Sequence, residues 1–384
     1  MKNLVQKSFG VHLRLLQILG MFPSRQFAKT YKIYMYFMYY IMITPIPILV
    51  TVNLFFEKHV DIVKISDNAF LTCQMACLLV KLIPFLGNIE SIYNTLDMLE
   101  KPPFTTYTKR QEKLVDECIT TCKRNCWLFL VFCIFSVISW ALKPMVQEKR
   151  KLPLEIWVPV DFTVNTKLYC FAYLYVVLGV AAGALSNGVI DPLIAGLASH
   201  ATTQLKILKN NLQFLSEDAD QMFSQQLTKA RIIQERIRIC IIHHNAILTF
   251  VENYENVYSG VVFSQFVASI FVICLACFYL SIVEPFSVIF FAMVIFLATM
   301  LSEIFLYSYY GTLLFEENNT LTNAVYMGQW YTYDITSRKA LIILMERSKK
   351  PMTVRAGKVL DLSLQTFTTI LRRAYSLLAV LKNY

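Results

Sequence analysis

Two ionisable residues stand where the chain is otherwise apolar. Glu303 sits in the run FLATMLSEIFLYSYY and Lys81 in LTCQMACLLVKLIPF. A charge in such a run is costly in hydrocarbon, so it marks an interhelical ion pair or a wet cavity. Glu303 is expected to pair with a basic residue or to line such a cavity. Lys81, close to the end of its run, is expected to snorkel its ammonium to the interface. Cys118, Cys122 and Cys126 recur every four residues and drift round one helix face, where a soft metal could use them. No His or fourth Cys stands nearby to complete a tetrahedral set, so packed thiols are the expectation. His243 and His244 are adjacent, about 100° apart on a helix, and should make separate polar contacts on a helix surface rather than share an ion. Ala356-Gly357-Lys358-Val359 has the Gly-Lys pair of a phosphate loop without its earlier Gly or its Ser/Thr. The sequence holds no GxSxG, HExxH or GxGxxG. No enzymatic activity and no cofactor are expected.

The elements that position these residues are membrane spans. Of 384 residues, 56% are hydrophobic and 16% charged, against about 25% charged in a soluble domain. The 28 Phe and 21 Tyr reinforce the reading. A span needs about 20 mainly apolar residues, and seven runs qualify: 34–56, 69–86, 126–142, 168–190, 261–283, 286–310 and 360–381. Glu284-Pro285 must be the turn between the fifth and sixth. The first apolar stretch is short and broken by Arg14, so the first span is expected to act as the insertion signal. The fold expected is an all-α membrane protein, one seven-helix transmembrane domain over 1–384.

Orientation follows from Lys and Arg. With the N-terminus cytoplasmic, 25 of the 36 fall inside and 8 outside. The N-terminus is therefore expected in the cytoplasm and the C-terminus outside. The net charge of +10 is then accounted for by membrane sidedness, with no nucleic acid partner. Segments 191–260 and 311–359 are inner. In the first, Leu193, Leu197, Leu205, Leu208, Leu212 and Leu215, then Ile233, Ile237, Ile241 and Leu248, recur at helical spacing. They are expected to form helical extensions of spans four and five, a cytoplasmic anchor whose stripes bury against other segments or a second subunit. Asn318-Asn319-Thr320 is the sole glycosylation sequon and falls on the cytoplasmic side. Gly179-Val-Ala-Ala-Gly183 should let two helices approach closely.

Tyr169 and Tyr173 are four apart and share a face of span four. Met75, Ile138, Phe290 and Met293 fall at comparable depth in spans two, three and six. The six together could line an outer-half apolar pocket with a few hydroxyls, suited to small volatile molecules.

From Glu303 onward the pattern becomes specific. EIFLYSYYGTLLFEENNTLTNAVYMGQWY is followed by ALIILMERSKKPMTVRAGKVLDLSLQTFTTILRRAYSLL. Glu303, Tyr310-Gly311, Ala324-Val-Tyr326, Trp330, the Arg347–Pro351 turn, Ala356-Gly357 and Tyr375-Ser376 resemble the insect odorant receptor family in order and spacing. The resemblance is specific over about 80 residues. It implies a ligand-gated cation channel in the plasma membrane of a sensory dendrite. An odorant-binding subunit of this kind assembles with the olfactory coreceptor (Orco) into a heterotetramer. It implies an odorant site in the outer leaflet and a pore lined by the last helix.

On that last helix Arg373, Leu377, Val380 and Tyr384 make one stripe, with Asn383 beside it. The resemblance implies that Val380, Asn383 and Tyr384 form the outer constriction. Arg373 would line the wet vestibule about 10 Å below Val380. A gustatory-type chemoreceptor channel is the near alternative. A G-protein-coupled receptor is a more distant one: it would need the opposite orientation, and the chain lacks the Asn-Pro usual in its last span. A transporter would be expected to show inverted repeats.

Overall fold

A computed structural model describes residues 3–23, 28–56, 62–142, 152–154, 156–157, 166–216 and 226–382. In chain order the helices are α1 (Leu4–Ile18), α2 (Ala28–Phe37), a π-helical turn Met38–Ile43, α3 (Pro45–Phe56), α4 (Ile62–Gly87), α5 (Ile89–Met98), α6 (Lys109–Leu142) and α7 (Thr166–Gln213). There follow α8 (Gln226–Leu280), α9 (Val288–Asn319), α10 (Leu321–Tyr326), α11 (Ile335–Ser348) and α12 (Leu364–Lys382). Between α11 and α12 a short antiparallel hairpin pairs β1 (Arg355–Ala356) with β2 (Leu360–Asp361). The phosphate-loop look-alike at Gly357-Lys358 is the tip of this hairpin.

Six helices among the described residues are long and apolar enough to cross a membrane. They contain the second, third and fourth expected runs and overlap most of the first, fifth and sixth, which end at 53, end at 280 and begin at 289. The seventh run does not meet that standard. It also starts later than expected, because β2 occupies Leu360–Asp361 and the helix begins at Leu364. Gln365, Thr369, Arg372, Arg373 and Ser376 lie exposed along α12, while Ile370 and Ala374 are buried on the other side. The helix is amphipathic, so averaging over it hides its apolar face. The sixth helix starts at Val288, where the Ser287 hydroxyl accepts a hydrogen bond from the Phe290 N–H at 3.1 Å. That is an N-cap, and it places the turn at 281–287 as Glu284-Pro285 suggested.

α7 has 48 residues and α8 has 55. At 1.5 Å per residue they run about 70 and 80 Å, more than twice a hydrocarbon core of about 30 Å. Their far halves therefore project from the bilayer. There α7 is buried almost continuously from Ser186 to Leu205, with α1, α6 and α10 packed on it. In the bilayer part the usual distribution inverts. Leu128, Val131 and Phe132 of α6 and Phe171, Leu174 and Leu178 of α7 are exposed, which in water would be an aggregating surface and in lipid is the solvated one. The Gly179/Gly183 stripe packs as expected. A Cβ on Gly179 would lie 2.3 Å from Ile46 Cδ1, and one on Gly183 2.7 Å from Met75 Cε. Neither site has room for a larger residue without displacement.

Candidate functional site

Three spanning helices each place polar side chains at one level of the bundle interior. Lys81 of α4 is fully buried, a correction to the snorkelling expectation. Its ammonium donates to Asn187 Oδ1 at 2.6 Å and to Asp191 Oδ1 and Oδ2 at 2.8 and 3.0 Å, all on α7. It also pairs with Glu303 Oε1 of α9. The Tyr307 hydroxyl, one turn along α9, donates to Asp191 Oδ1 at 2.6 Å. Glu303 thus does pair with a basic residue, as its position demanded. An ammonium held by three acceptors has all its N–H groups satisfied, which is what allows it to sit out of water. Asp191, Asn187 and Tyr307 were missed in the sequence. The available signal was Asp191 itself, the acidic residue that ends the fourth apolar run just before Pro192.

Above this cluster lies a cavity of about 490 Å³, within the roughly 300–1,000 Å³ of small-molecule sites. α4, α6, α7 and α9 wall it, and Asn187, Asp191 and Glu303 are part of its lining. The rest is mainly apolar. Met75, Ile138 and Met293, three of the six expected contacts, line it. Tyr169, Tyr173 and Phe290 lie outside that lining. The Tyr169 and Tyr173 rings do sit together, 6.1 Å apart. The Tyr173 hydroxyl donates to the Ala141 carbonyl at the end of α6 and is committed there. Phe290 packs with Phe286 and Phe291 at the turn before α9. Helical spacing fixes which residues share a face, but not how the face is rotated about the helix axis.

Of the terminal stripe, Arg373 and Val380 are exposed and Leu377 is half-buried. Asn383 and Tyr384 lie outside the described residues. The root of α12 is tied to α9. The Thr312 hydroxyl accepts from the Leu364 N–H at 3.0 Å. A Cβ on Gly311 would come within 2.3 Å of the Leu362 carbonyl oxygen, so only glycine lets these backbones meet.

The extramembrane histidines are buried rather than at a helix surface. His243 shares a hydrogen bond of 2.9 Å with Gln204 Oε1. Burial pushes both His243 and His12 down to about 4. His244 is held equally low by burial and then by the Arg347 charge. Asn318 is buried as well, and its amide donates to the Ser348 and Lys350 carbonyls at 3.2 Å each. It ties α9 to the end of α11 and has no room for a glycan. The cysteine row gains a histidine from α7: donor atoms of Cys118, Cys122 and His200 lie within 4.8 Å of one another. His200 Nε2 is already bonded to Ser8 Oγ at 2.9 Å.

Comparison with known proteins agrees with this architecture. The family model described as 7tm Odorant receptor matches residues 61–375. Odorant receptor Or1 of Anopheles gambiae is 26% identical, over 98% of this chain and 95% of its own. Odorant receptor 94a of Drosophila melanogaster is 30% identical over 67% and 65%. The insect olfactory receptor OR5 of Machilis hrabei, solved in complex with eugenol, superposes with a TM-score of 0.86 over the whole of both chains at 16% identity. The chain belongs to the insect odorant receptor family, a receptor family and not an enzyme family.

Proposed function

We propose that this chain is the odorant-binding subunit of a ligand-gated, non-selective cation channel in the plasma membrane. It has seven spans, α12 being the last, a cytoplasmic N-terminus and an extracellular C-terminus. An uncharged volatile odorant occupies the cavity in the outer half of the bilayer, touching Met75, Ile138 and Met293. Orco is the partner in a heterotetramer, and the projecting ends of α7 and α8 with α10 and α11 form the anchor between subunits. The polar face of α12, with Arg373, faces the shared conduit. Val380, with Leu377 below it and Asn383 and Tyr384 above, forms the constriction.

One observation carries the mechanism. The same helix, α9, walls the cavity through Met293 and Glu303 and grips the root of α12 through Gly311 and Thr312. A ligand shifts an equilibrium only by binding one state better than the other. A cavity that fits its ligand better with α9 displaced would draw α12 with it, and Val380 off the axis. Apolar constrictions block ions by dewetting, so a movement of a few ångströms suffices to open one.

The test is expression with and without the coreceptor, application of a panel of volatiles, and recording of current. Odorant-evoked cation current that requires both chains supports the proposal. Surface-expressed complex that stays silent to every volatile refutes it.

A further inference from the structure

The cavity is mainly apolar, but it holds polar groups with nothing to bond. Gln74 of α4 lines it and is 8% exposed. Neither its amide nitrogen nor its amide oxygen has a hydrogen-bond partner. The Ser136 hydroxyl of α6, also in the lining, is buried and equally unpartnered. Burying such a group without a partner is unfavourable, so a ligand that supplies one gains by it. Gln74 stands seven residues before Lys81, hence on the same face of α4 and about 10 Å along it. Its amide is therefore separate from the Lys81 cluster at the cavity floor, which engages Asn187, Asp191 and Glu303 Oε1 and leaves Glu303 Oε2 unpartnered.

We infer that Gln74 and Ser136 select the odorant: the site takes a hydroxyl-bearing volatile, an alcohol or phenol, in preference to the ether or hydrocarbon of the same shape. This rests on the cavity being the odorant site. A ligand hydroxyl donates to Gln74 Oε1 while its lone pairs accept from Gln74 Nε2 or from Ser136. An ether or ester can only accept, and leaves Oε1 orphaned. A hydrocarbon leaves all three groups orphaned. Apolar walls supply affinity for any of the three skeletons, so discrimination falls on these polar atoms. Sites built to hydrogen-bond a hydroxyl reject the analogue lacking it far more strongly than apolar pockets reject a methylene.

The test uses the full channel with its coreceptor and matched triplets: 2-phenylethanol, its methyl ether and ethylbenzene, and likewise 1-octanol, its methyl ether and nonane, with 2-phenylethylamine added. Alcohols should activate at concentrations at least tenfold below their ether and hydrocarbon partners. In Gln74→Leu that ratio should collapse towards one through loss of alcohol potency, while hydrocarbon potency holds or improves. Ser136→Ala, a smaller change that keeps Gln74, should narrow the ratio in the same direction. It serves if Gln74→Leu fails to reach the surface. Equal potencies within the triplets, or an unchanged ratio in a surface-expressed variant, overturn the inference while leaving the channel reading intact. An amine that outranks its alcohol overturns it too, in favour of the carboxylates at the cavity floor. Silence to every volatile overturns the receptor reading, and this inference with it.

Discussion

Removing the charge of Lys81 should be among the most damaging single changes in the membrane part of this protein. Lys81 faces two carboxylates, Asp191 and Glu303, at full burial. At 2.8 Å from Asp191 Oδ1, its Coulomb attraction to that group is about 6 kcal/mol at an effective dielectric of ~20. Desolvation offsets much of this, which is why the intact cluster adds little net stability. Breaking it is another matter, because Lys81→Met leaves two buried carboxylates facing each other with no cation. Loss of one partner from a buried pair costs about 3–5 kcal/mol. Glu303→Gln leaves Lys81 on Asp191 and keeps an acceptor, so the loss should stay near 1–2 kcal/mol. Replacing all three with Met, Asn at 191 and Gln at 303 removes every charge and should recover most of the loss. Fluorescence-detected size-exclusion melting of detergent-solubilised channel gives the order. Lys81→Met should fall lowest, Glu303→Gln less than half as far, and the triple variant in between. A Lys81→Met variant melting within about 1 °C of wild type, or below which Glu303→Gln falls, would refute the electrostatic reasoning.

Four further outcomes are expected. Gly311→Ala forces α9 and the Leu362 backbone apart, so odorant-evoked current should fall several-fold at unchanged surface expression, as measured by surface biotinylation and voltage clamp. Gly183→Val drives two methyl groups at Met75 and into the cavity, so potency should drop most for the bulkiest ligands, read from concentration–response curves across a homologous alcohol series. His12 and His243 bind protons near 6.5 when unfolded and near 4 when folded. The unfolded chain therefore holds more protons between those values, and stability is complete above 6.5 and declines as pH falls, by roughly 3 kcal/mol per histidine at the limit. Melting temperature should drop between pH 7 and 4.5, less steeply in His12→Phe. Val380→Ser should raise the basal current, measurable by patch recording in the absence of odorant.

Some of this was legible in the sequence for definite physical reasons. Hydrocarbon tolerates so few polar groups that six spans stand out by composition alone. The same intolerance flagged Glu303 and required a partner for it. What could not be read was the partner. Lys81 and Asp191 lie far apart in sequence and meet only because α4, α7 and α9 converge, so Lys81 taken alone resembled an interfacial lysine. Rotation was equally hidden: Tyr169 and Tyr173 share a face, yet the Tyr173 hydroxyl reaches the end of α6. Gln74, Ser136 and Asn187 are uncharged and stand in apolar runs without disturbing them, so nothing in the pattern singled them out. Asn318 stands in a sequon read as cytoplasmic; what the sequence did not reveal is that its amide is committed to two carbonyls. Cys118 and Cys122 lacked a local histidine only because His200 arrives from another helix.

The last helix, α12, is where sequence and structure together say more than either alone. Polar residues on its outward face, from Gln365 to Ser376, would leave a monomer with guanidinium and amide groups against lipid. Each arginine would cost about 2.5–3.5 kcal/mol at the bilayer centre. The other face, with Ile370 and Ala374, packs on α8 and α9, so turning α12 about its axis would only exchange one exposed set for another. On the proposed reading the relief is assembly: four such faces enclose water, and the polar stripe becomes the wall of a conduit. The stripe then ends. Ala379 and Val380 are exposed on the same side, about 10 Å beyond Arg373. A face that is wettable for three turns and apolar in the fourth has the profile of a vestibule leading to a constriction. On that reading a helix too polar to count as a span by composition serves as the seventh.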